Sequence, residues 1–329
     1  MPKNDIAPTS LPLRSTVVWQ NKHTDVTIWP AHKRATALIV FISGNPGLVG
    51  YYDTFLSSIH ATAPLYWEII GLGHVGQSPD HPPTASEALR ISKSPLPTLQ
   101  DQIDSKIDFL DKLRPQFSPD AKVILIGHSV GAYICKEIMK KRPDMIDGMY
   151  GLFPSLVHIA QTPNGRRLSP LFRDPVRVAL TSFVYVLNAL LPFMVVRFFV
   201  RKITSQRKPA DYTTARLVTS PGVVSAAVNM GADEMRTIKD MDNDFFSRYG
   251  HKVTLYFAAG DSDGWVGDVA RVKEITTALD QSKISSEERP RWHICEKGMQ
   301  HAFCLEHSNE MAELCAGWLV KDLAADVQQ

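Results

Sequence analysis

The stretch Lys122-Val123-Ile124-Leu125-Ile126-Gly127-His128-Ser129-Val130-Gly131-Ala132-Tyr133-Ile134-Cys135 decides the fold. Its apolar opening reads as a strand buried on both faces. Ala132 to Met139 reads as a helix, and a Gly-x-Ser-x-Gly turn joins the two. A serine on so sharp a strand-to-helix turn points outward, and the flanking backbones crowd, so Gly127 and Gly131 carry no side chain. The N-terminus of the following helix presents free N–H groups to a developing negative charge.

Outward from this turn, apolar strands alternate with helices. Ser15–Trp19 and Asp25–Pro30 alternate with period two and predict a hairpin. Ala37–Ile42 is a continuous apolar run ending in the loop Ser43-Gly44-Asn45-Pro46-Gly47. A helix over Tyr51–Ala61, a strand over Leu65–Ile70, a Pro- and Ser-rich loop over 79–97 and a helix over Thr98–Leu113 follow. Beyond the central turn come a strand over Gly148–Pro154, a strand over Lys252–Phe257, a helix over Val269–Leu279, a short strand over Trp292–Cys295 and a closing helix over Asn309–Leu323. The alternation predicts an α/β fold with a mostly parallel, doubly wound sheet and ligands at the carboxyl ends of the strands. Residues 1–14 read as a flexible N-terminus. The core comprises 15–154 and 250–325, and 155–249 is a helical, apolar cap insertion.

Composition bounds the class. The chain has 329 residues, 44% hydrophobic and 21% charged, enough for a full core. A net charge of +2 gives no reason to expect nucleic acid. Cys135, Cys295, Cys304 and Cys315 lack metal-site spacing and read as reduced thiols of a cytosol-facing protein. No ligand cluster or phosphate-binding glycine loop appears, so no metal or organic cofactor is implied.

Serine needs a base to take its proton, and the base needs an orienting group. In this topology the acid and then the histidine follow the serine, each after a later strand. Asp263 stands after the Lys252–Phe257 run, with Asp261 its competitor; His301 follows the last strand, with His307 its competitor. His128 reads as a packing residue of the elbow and His74 as a loop histidine. An oxyanion needs two N–H donors. Val130 follows the nucleophile, and Asn45 is the candidate from the loop after Ala37–Ile42, where Pro46 has no N–H. Elbow, acid, base and donor loop together predict an α/β-hydrolase architecture.

The motifs go further. Ser43-Gly44-Asn45-Pro46-Gly47 with Tyr51-Tyr52, Gly73-His74, the Gln102–Phe109 stretch, Gly127–Gly131, Leu152-Phe153-Pro154-Ser155, Thr162-Pro163-Asn164-Gly165, Asp263-Gly264-Trp265 and His301-Ala302-Phe303 resemble the lipid droplet-associated hydrolases from about residue 35 to 320. The resemblance implies a serine hydrolase of lipase or esterase type at the lipid droplet surface and endoplasmic reticulum. Sterol esters and other neutral-lipid esters, such as acylglycerols, are its implied substrates. A droplet-binding scaffold that keeps a triad, and acyl transfer to an alcohol instead of water, stand as alternatives.

Val178 to Val196 carries no charged side chain for 19 residues. At helical rise that is about 28 Å, close to a bilayer core. A single crossing is excluded, because Ser129 precedes the segment and Asp263 and His301 follow it, and all three must meet on one side. Two readings remain. These are helices capping the active site, or a hairpin or in-plane helix dipping into a lipid monolayer. Phe193, Phe198 and Phe199 would then anchor it, and Arg166, Arg167, Arg173, Arg177, Arg197, Arg201, Lys202, Arg207 and Lys208 would meet anionic head groups.

Overall fold

The computed structural model describes residues 11–63, 65–86, 96–259, 263–281 and 289–324. Eight strands make one sheet: β1 (Leu13–Trp19), β2 (Lys22–Trp29), β3 (Ala37–Ile42), β4 (Trp67–Leu72), β5 (Lys122–His128), β6 (Gly148–Leu152), β7 (Val253–Phe257) and β8 (Arg291–Ile294). Their order is β1-β2-β4-β3-β5-β6-β7-β8, antiparallel across the first three and parallel from β4 onward. Among the described residues the main helices are, in chain order, α1 (Asp53–His60), α2 (Leu99–Leu113), α3 (Val130–Lys141), α4 (Pro163–Leu168), α5 (Asp174–Leu190), α6 (Phe193–Thr204), α7 (Ala210–Val218), α8 (Pro221–Thr237), α9 (Asn243–Tyr249), α10 (Val269–Gln281) and α11 (Ser308–Ala324). This is the α/β-hydrolase fold.

Strand β3 illustrates why the sheet is covered twice. Leu38, Val40 and Ile42 pack with α2 and α3, whereas Ile39 and Phe41 pack with α1 and α11. Every residue of the strand is buried, as its unbroken apolar run requires. The expected hairpin is tighter than its alternation suggested. Trp19 pairs with Lys22, leaving only Gln20 and Asn21 at the turn, both with positive φ. The expected flexible start at 1–14 falls largely on residues 1–10, outside the described residues. Leu13 and Arg14 already belong to β1, paired to Ile28 and Thr27.

The β5–α3 turn sets the geometry of the site. Ser129 has φ 55° and ψ −123°, a left-handed conformation costly for a side-chain-bearing residue. A Cβ on Gly127 would stand 2.4 Å from the Gly131 carbonyl carbon, and one on Gly131 would stand 2.2 Å from the Ile42 carbonyl oxygen. Both glycines are therefore there for close approach, which draws the end of β3 against the start of α3.

Between β6 and β7 the chain forms α4 to α9. The uncharged run 178–196 is not one helix. Leu191 is extended (φ −113°, ψ 128°), and α5 and α6 meet at a bend of 119°. Pro192 is the cause, since it excludes the preceding residue from helical conformation and lacks the N–H that would continue the ladder. Among the described residues no single helix is long and apolar enough to cross a membrane. Helix α5 packs on α8, where buried Arg177 donates through Nη1 to Ser225 Oγ at 2.6 Å. Helix α6 packs on α7 through Val196, Val200 and Ala215. The outer faces remain uncovered, with Phe183, Val186 and Leu190 on α5 and Met194, Phe198, Phe199 and Ile203 on α6 exposed.

Three flanking residues differ from expectation. Phe193 is half-buried, its ring 5.4 Å from that of Tyr212, so it serves the contact between α6 and α7. Arg177 is buried inside the cap. Arg197 is bound to buried Asp211, with Nε at 3.0 Å and Nη2 at 2.9 Å. Helical spacing could not reveal this, because Asp211 and Ser225 come from later elements.

Candidate active site

Ser129, at the end of β5, meets two side chains from loops beyond later strands. Its Oγ lies 3.0 Å from His301 Nε2, and His301 Nδ1 lies 2.8 Å from Asp263 Oδ2. With Nδ1–H donated to the carboxylate, Nε2 carries the lone pair and accepts the hydrogen bond from the serine hydroxyl. Asp263 is 2% exposed. Its other oxygen accepts the Trp265 and Val266 backbone N–H groups at 2.9 and 3.0 Å. Burial alone would push this carboxyl up. The adjoining His301 and the two N–H groups outweigh it and hold the pKa below the usual range, so the acid stays ionised. Asp261 lies outside the described residues. His307 sits at the start of α11, its Nδ1 3.7 Å from Glu310.

Donor bookkeeping around the loop 43–48 isolates one free N–H. Ser43 donates to the Leu72 carbonyl and Gly44 to the Tyr52 hydroxyl; Gly47 donates to Gln77 Oε1, and Leu48 to the Pro46 carbonyl. Pro46 has none. Among the described residues, only the Asn45 N–H of this loop lacks a partner. Val130, as the first residue of α3, has an N–H with no carbonyl within its own helix to take it. The two N–H groups come one from each of the elements drawn together by Gly131, and Asn45 and Ser129 line the same cavity.

His128 does more than pack. Its Nε2 lies 2.8 Å from the His301 carbonyl oxygen, which can only accept, so Nε2 carries the proton. Nδ1 then accepts from the Tyr52 hydroxyl at 2.7 Å, and that hydroxyl accepts from the Gly44 N–H at 3.2 Å. Burial, with His301 close by, pushes the His128 imidazole down to about 3, so the neutral tautomer persists. The chain Gly44–Tyr52–His128–His301 thus ties the donor loop to the base through buried hydrogen bonds. His74 is fully buried beneath the loop and packs against Gly47, away from the cavity.

Ser129 and His301 open onto a cavity of about 450 Å³ lined by Phe172, Leu217, Val228, Met235, Trp265 and Leu305, among others. The wall opposite the sheet is α8 of the cap. Two polar residues near Ser129 were not read from the sequence as site residues, although Ser155 falls within one of the motifs. Ser155 Oγ lies 3.2 Å from Ser129 Oγ, and its N–H donates to the Ser129 carbonyl, also at 3.2 Å. Glu234 on α8 accepts from Asn45 Nδ2 at 2.9 Å, and the same Nδ2 reaches the Ala227 carbonyl at 2.9 Å. Burial pushes the Glu234 carboxyl up to about 8. An acidic residue in a helical pattern reads as a solvated face, and only the tertiary fold turns this one inward.

The family profile described as "Lipid-droplet associated hydrolase" matches residues 35–304. The chain belongs to the lipid droplet-associated hydrolase family. A lipid droplet-associated hydrolase of Gallus gallus is 30% identical over 296 residues, covering 87% of this chain and 85% of its own. The Homo sapiens relative of that name is 26% identical, covering 89% and 87%. Among solved structures, haloalkane dehalogenase DbeA from Bradyrhizobium elkani superposes with a TM-score of 0.63 at 14% identity, covering 95% of this chain and 99% of that one. A soluble variant of monoglyceride lipase from Saccharomyces cerevisiae gives a TM-score of 0.59 at 13% identity, with 98% of each chain covered. These structures share the fold; the family membership adds that the chain is a hydrolase.

The hydrogen-bonded chain through His128 generates a prediction. His128→Phe keeps an aromatic ring, a slightly larger one, but leaves the Tyr52 hydroxyl proton and the His301 carbonyl without their partner. It is expected to cost about 2 kcal/mol of stability. A shifted His301 would lower kcat for a soluble ester about tenfold or more. Thermal unfolding and ester-hydrolysis kinetics on the purified variant check both.

Proposed function

We propose that this protein is a serine ester hydrolase of lipase or esterase type. It acts on neutral-lipid esters, sterol esters or acylglycerols, at the cytosolic face of lipid droplets and of the endoplasmic reticulum. The reading rests on one observation above others. Ser129, hydrogen-bonded to His301 and through it to Asp263, opens onto a largely apolar cavity that Asn45 also lines and that α8 walls on one side. In the mechanism, Ser129 Oγ attacks the ester carbonyl carbon while its proton passes to His301 Nε2. Asp263 stabilises the resulting imidazolium. The carbonyl oxygen becomes an oxyanion held by the Asn45 and Val130 N–H groups, each such donor being worth roughly 3 kcal/mol in the transition state. Collapse breaks the ester C–O bond, and the leaving alcohol takes the proton from His301. Water, deprotonated by the same His301, then releases the acid from the acyl-enzyme.

The place of action rests on the relatives' name and on the uncovered face of α5 and α6. The 119° bend lets the two helices lie along a surface, with Phe198 and Phe199 directed into lipid. Exposed Lys202 suits an anionic surface, as does Arg201, which stays largely exposed although its Nε lies 3.6 Å from Asp211 Oδ2.

A fluorophosphonate probe is expected to modify the wild type and leave Ser129→Ala unmodified, with hydrolysis of a panel of sterol, glyceryl and short-chain esters lost in the variant. Labelling that ignores the substitution contradicts the reading. For the surface, Phe198→Glu with Phe199→Glu is expected to lower recovery on phosphatidylcholine-coated triolein droplets at least about tenfold at an unchanged unfolding midpoint, since two exposed rings that would enter the lipid are lost. Undiminished recovery contradicts it.

A further inference from the structure

Asn45 presents a puzzle that the reaction alone does not resolve. Its backbone N–H is the one free donor of the loop, yet an N–H is useful only if the peptide that carries it is held still. What holds Asn45 is its side chain, and it is held from the cap. The amide donates to the Ala227 carbonyl and to Glu234 Oε1, both on α8, and its own Oδ1 is buried with no partner. Glu234 makes no other side-chain hydrogen bond among the described residues, and no Lys or Arg pairs with it there. A carboxylic acid placed 5% exposed in an apolar wall, with a single bond to the donor loop, is costly unless that bond has a use.

We propose that Glu234 is a positioning residue: from the cap it fixes the Asn45 side chain and thereby aims the Asn45 backbone N–H at the substrate carbonyl oxygen. This rests on the serine hydrolase reading above. It makes the oxyanion site a joint product of core and cap, assembled only when α8 is seated over β3 and β5.

Charge follows from placement. Buried as it is, Glu234 is uncharged at neutral pH, and its carbonyl oxygen serves as acceptor. Asp233 on the same helix adds repulsion; it is itself engaged with Arg236 and the Leu99 N–H. Tyr51, Tyr52, His128, His301 and Cys304 share the cavity wall. Arg177, from α5, is taken up by Ser225 and Asp174. Above about pH 8 the carboxylate forms, and a negative charge beside the donor loop opposes the oxyanion. Activity therefore falls on the alkaline side because Glu234 loses its proton.

The test uses a soluble short-chain ester over pH 6–10 with the full-length wild type, Glu234→Ala and Glu234→Gln. For Glu234→Ala, kcat is expected to fall at least about tenfold with KM nearly unchanged, the mark of an interaction made in the transition state. Glu234→Gln keeps an acceptor of the same shape without a titrating proton. It is expected to recover most of the lost kcat and to lack the alkaline decline. An unchanged kcat in Glu234→Ala, or an alkaline decline that persists in Glu234→Gln, overturns the proposal. Should Glu234→Ala fail to fold, the pH profile of Glu234→Gln decides alone. If fluorophosphonate does not label the wild type, the hydrolase reading and this proposal fall together. If it does, adverse results with Glu234 overturn this proposal only.

Discussion

The structure depends on one close contact, the approach of the α3 N-terminus to the end of β3. Gly131 stands against the Ile42 carbonyl at a distance that admits no side chain. That approach holds Ser129 in its strained conformation, aims its hydroxyl off the sheet edge, and brings the loop after β3 beside the first turn of α3. A single backbone constraint thus places both the proposed nucleophile and the two N–H donors that would receive the charge it creates. The strain at Ser129 persists because buried strands on either side, β3 and β6, leave the turn no room to relax.

From that contact outward, polar groups are placed by buried hydrogen bonds rather than by surface ion pairs. Asp263 is oriented by two backbone N–H groups, His301 by Asp263 on its side chain and by His128 on its carbonyl, and Tyr52 links His128 to the donor loop. Such networks are strong only when every member is satisfied. The neutral state of His128, enforced by burial, keeps its donor and acceptor nitrogens distinct. The cap completes the arrangement, and it faces two ways. Helix α8 walls one side of the cavity and holds Asn45, while α5, packed on α8, turns its other face to the outside with Phe183, Val186 and Leu190 uncovered.

Much of this was legible in the sequence, for physical reasons. Unbroken apolar runs such as Ala37–Ile42 could only be strands covered twice, and the order serine, aspartate, histidine follows from strand order. Ser129, Asp263 and His301 meet within hydrogen-bonding distance, and Asn45 is the residue of its loop left with a free N–H among the described residues, since Pro46 has none and the N–H groups of Ser43, Gly44, Gly47 and Leu48 are engaged. What sequence could not convey is partnership across long separations. Glu234 and Asn45 lie 189 residues apart, and nothing local marks that glutamate as buried. Arg177, Arg197 and Phe193 look like a membrane-flanking set until Ser225, Asp211 and Tyr212 are seen to occupy them. The bend at Pro192 was signalled by its residue type, but its 119° angle is set by packing on α7 and α8.

The central claim is that Ser129 becomes acylated by an ester. Rapid quenching after mixing with an activated acyl ester, followed by peptide mass spectrometry, tests it most directly. The account predicts a mass increase equal to the acyl group on the peptide carrying Ser129, appearing before steady turnover and absent in Ser129→Ala. Ester cleavage with no acyl adduct at Ser129, or an adduct on another residue, would contradict it.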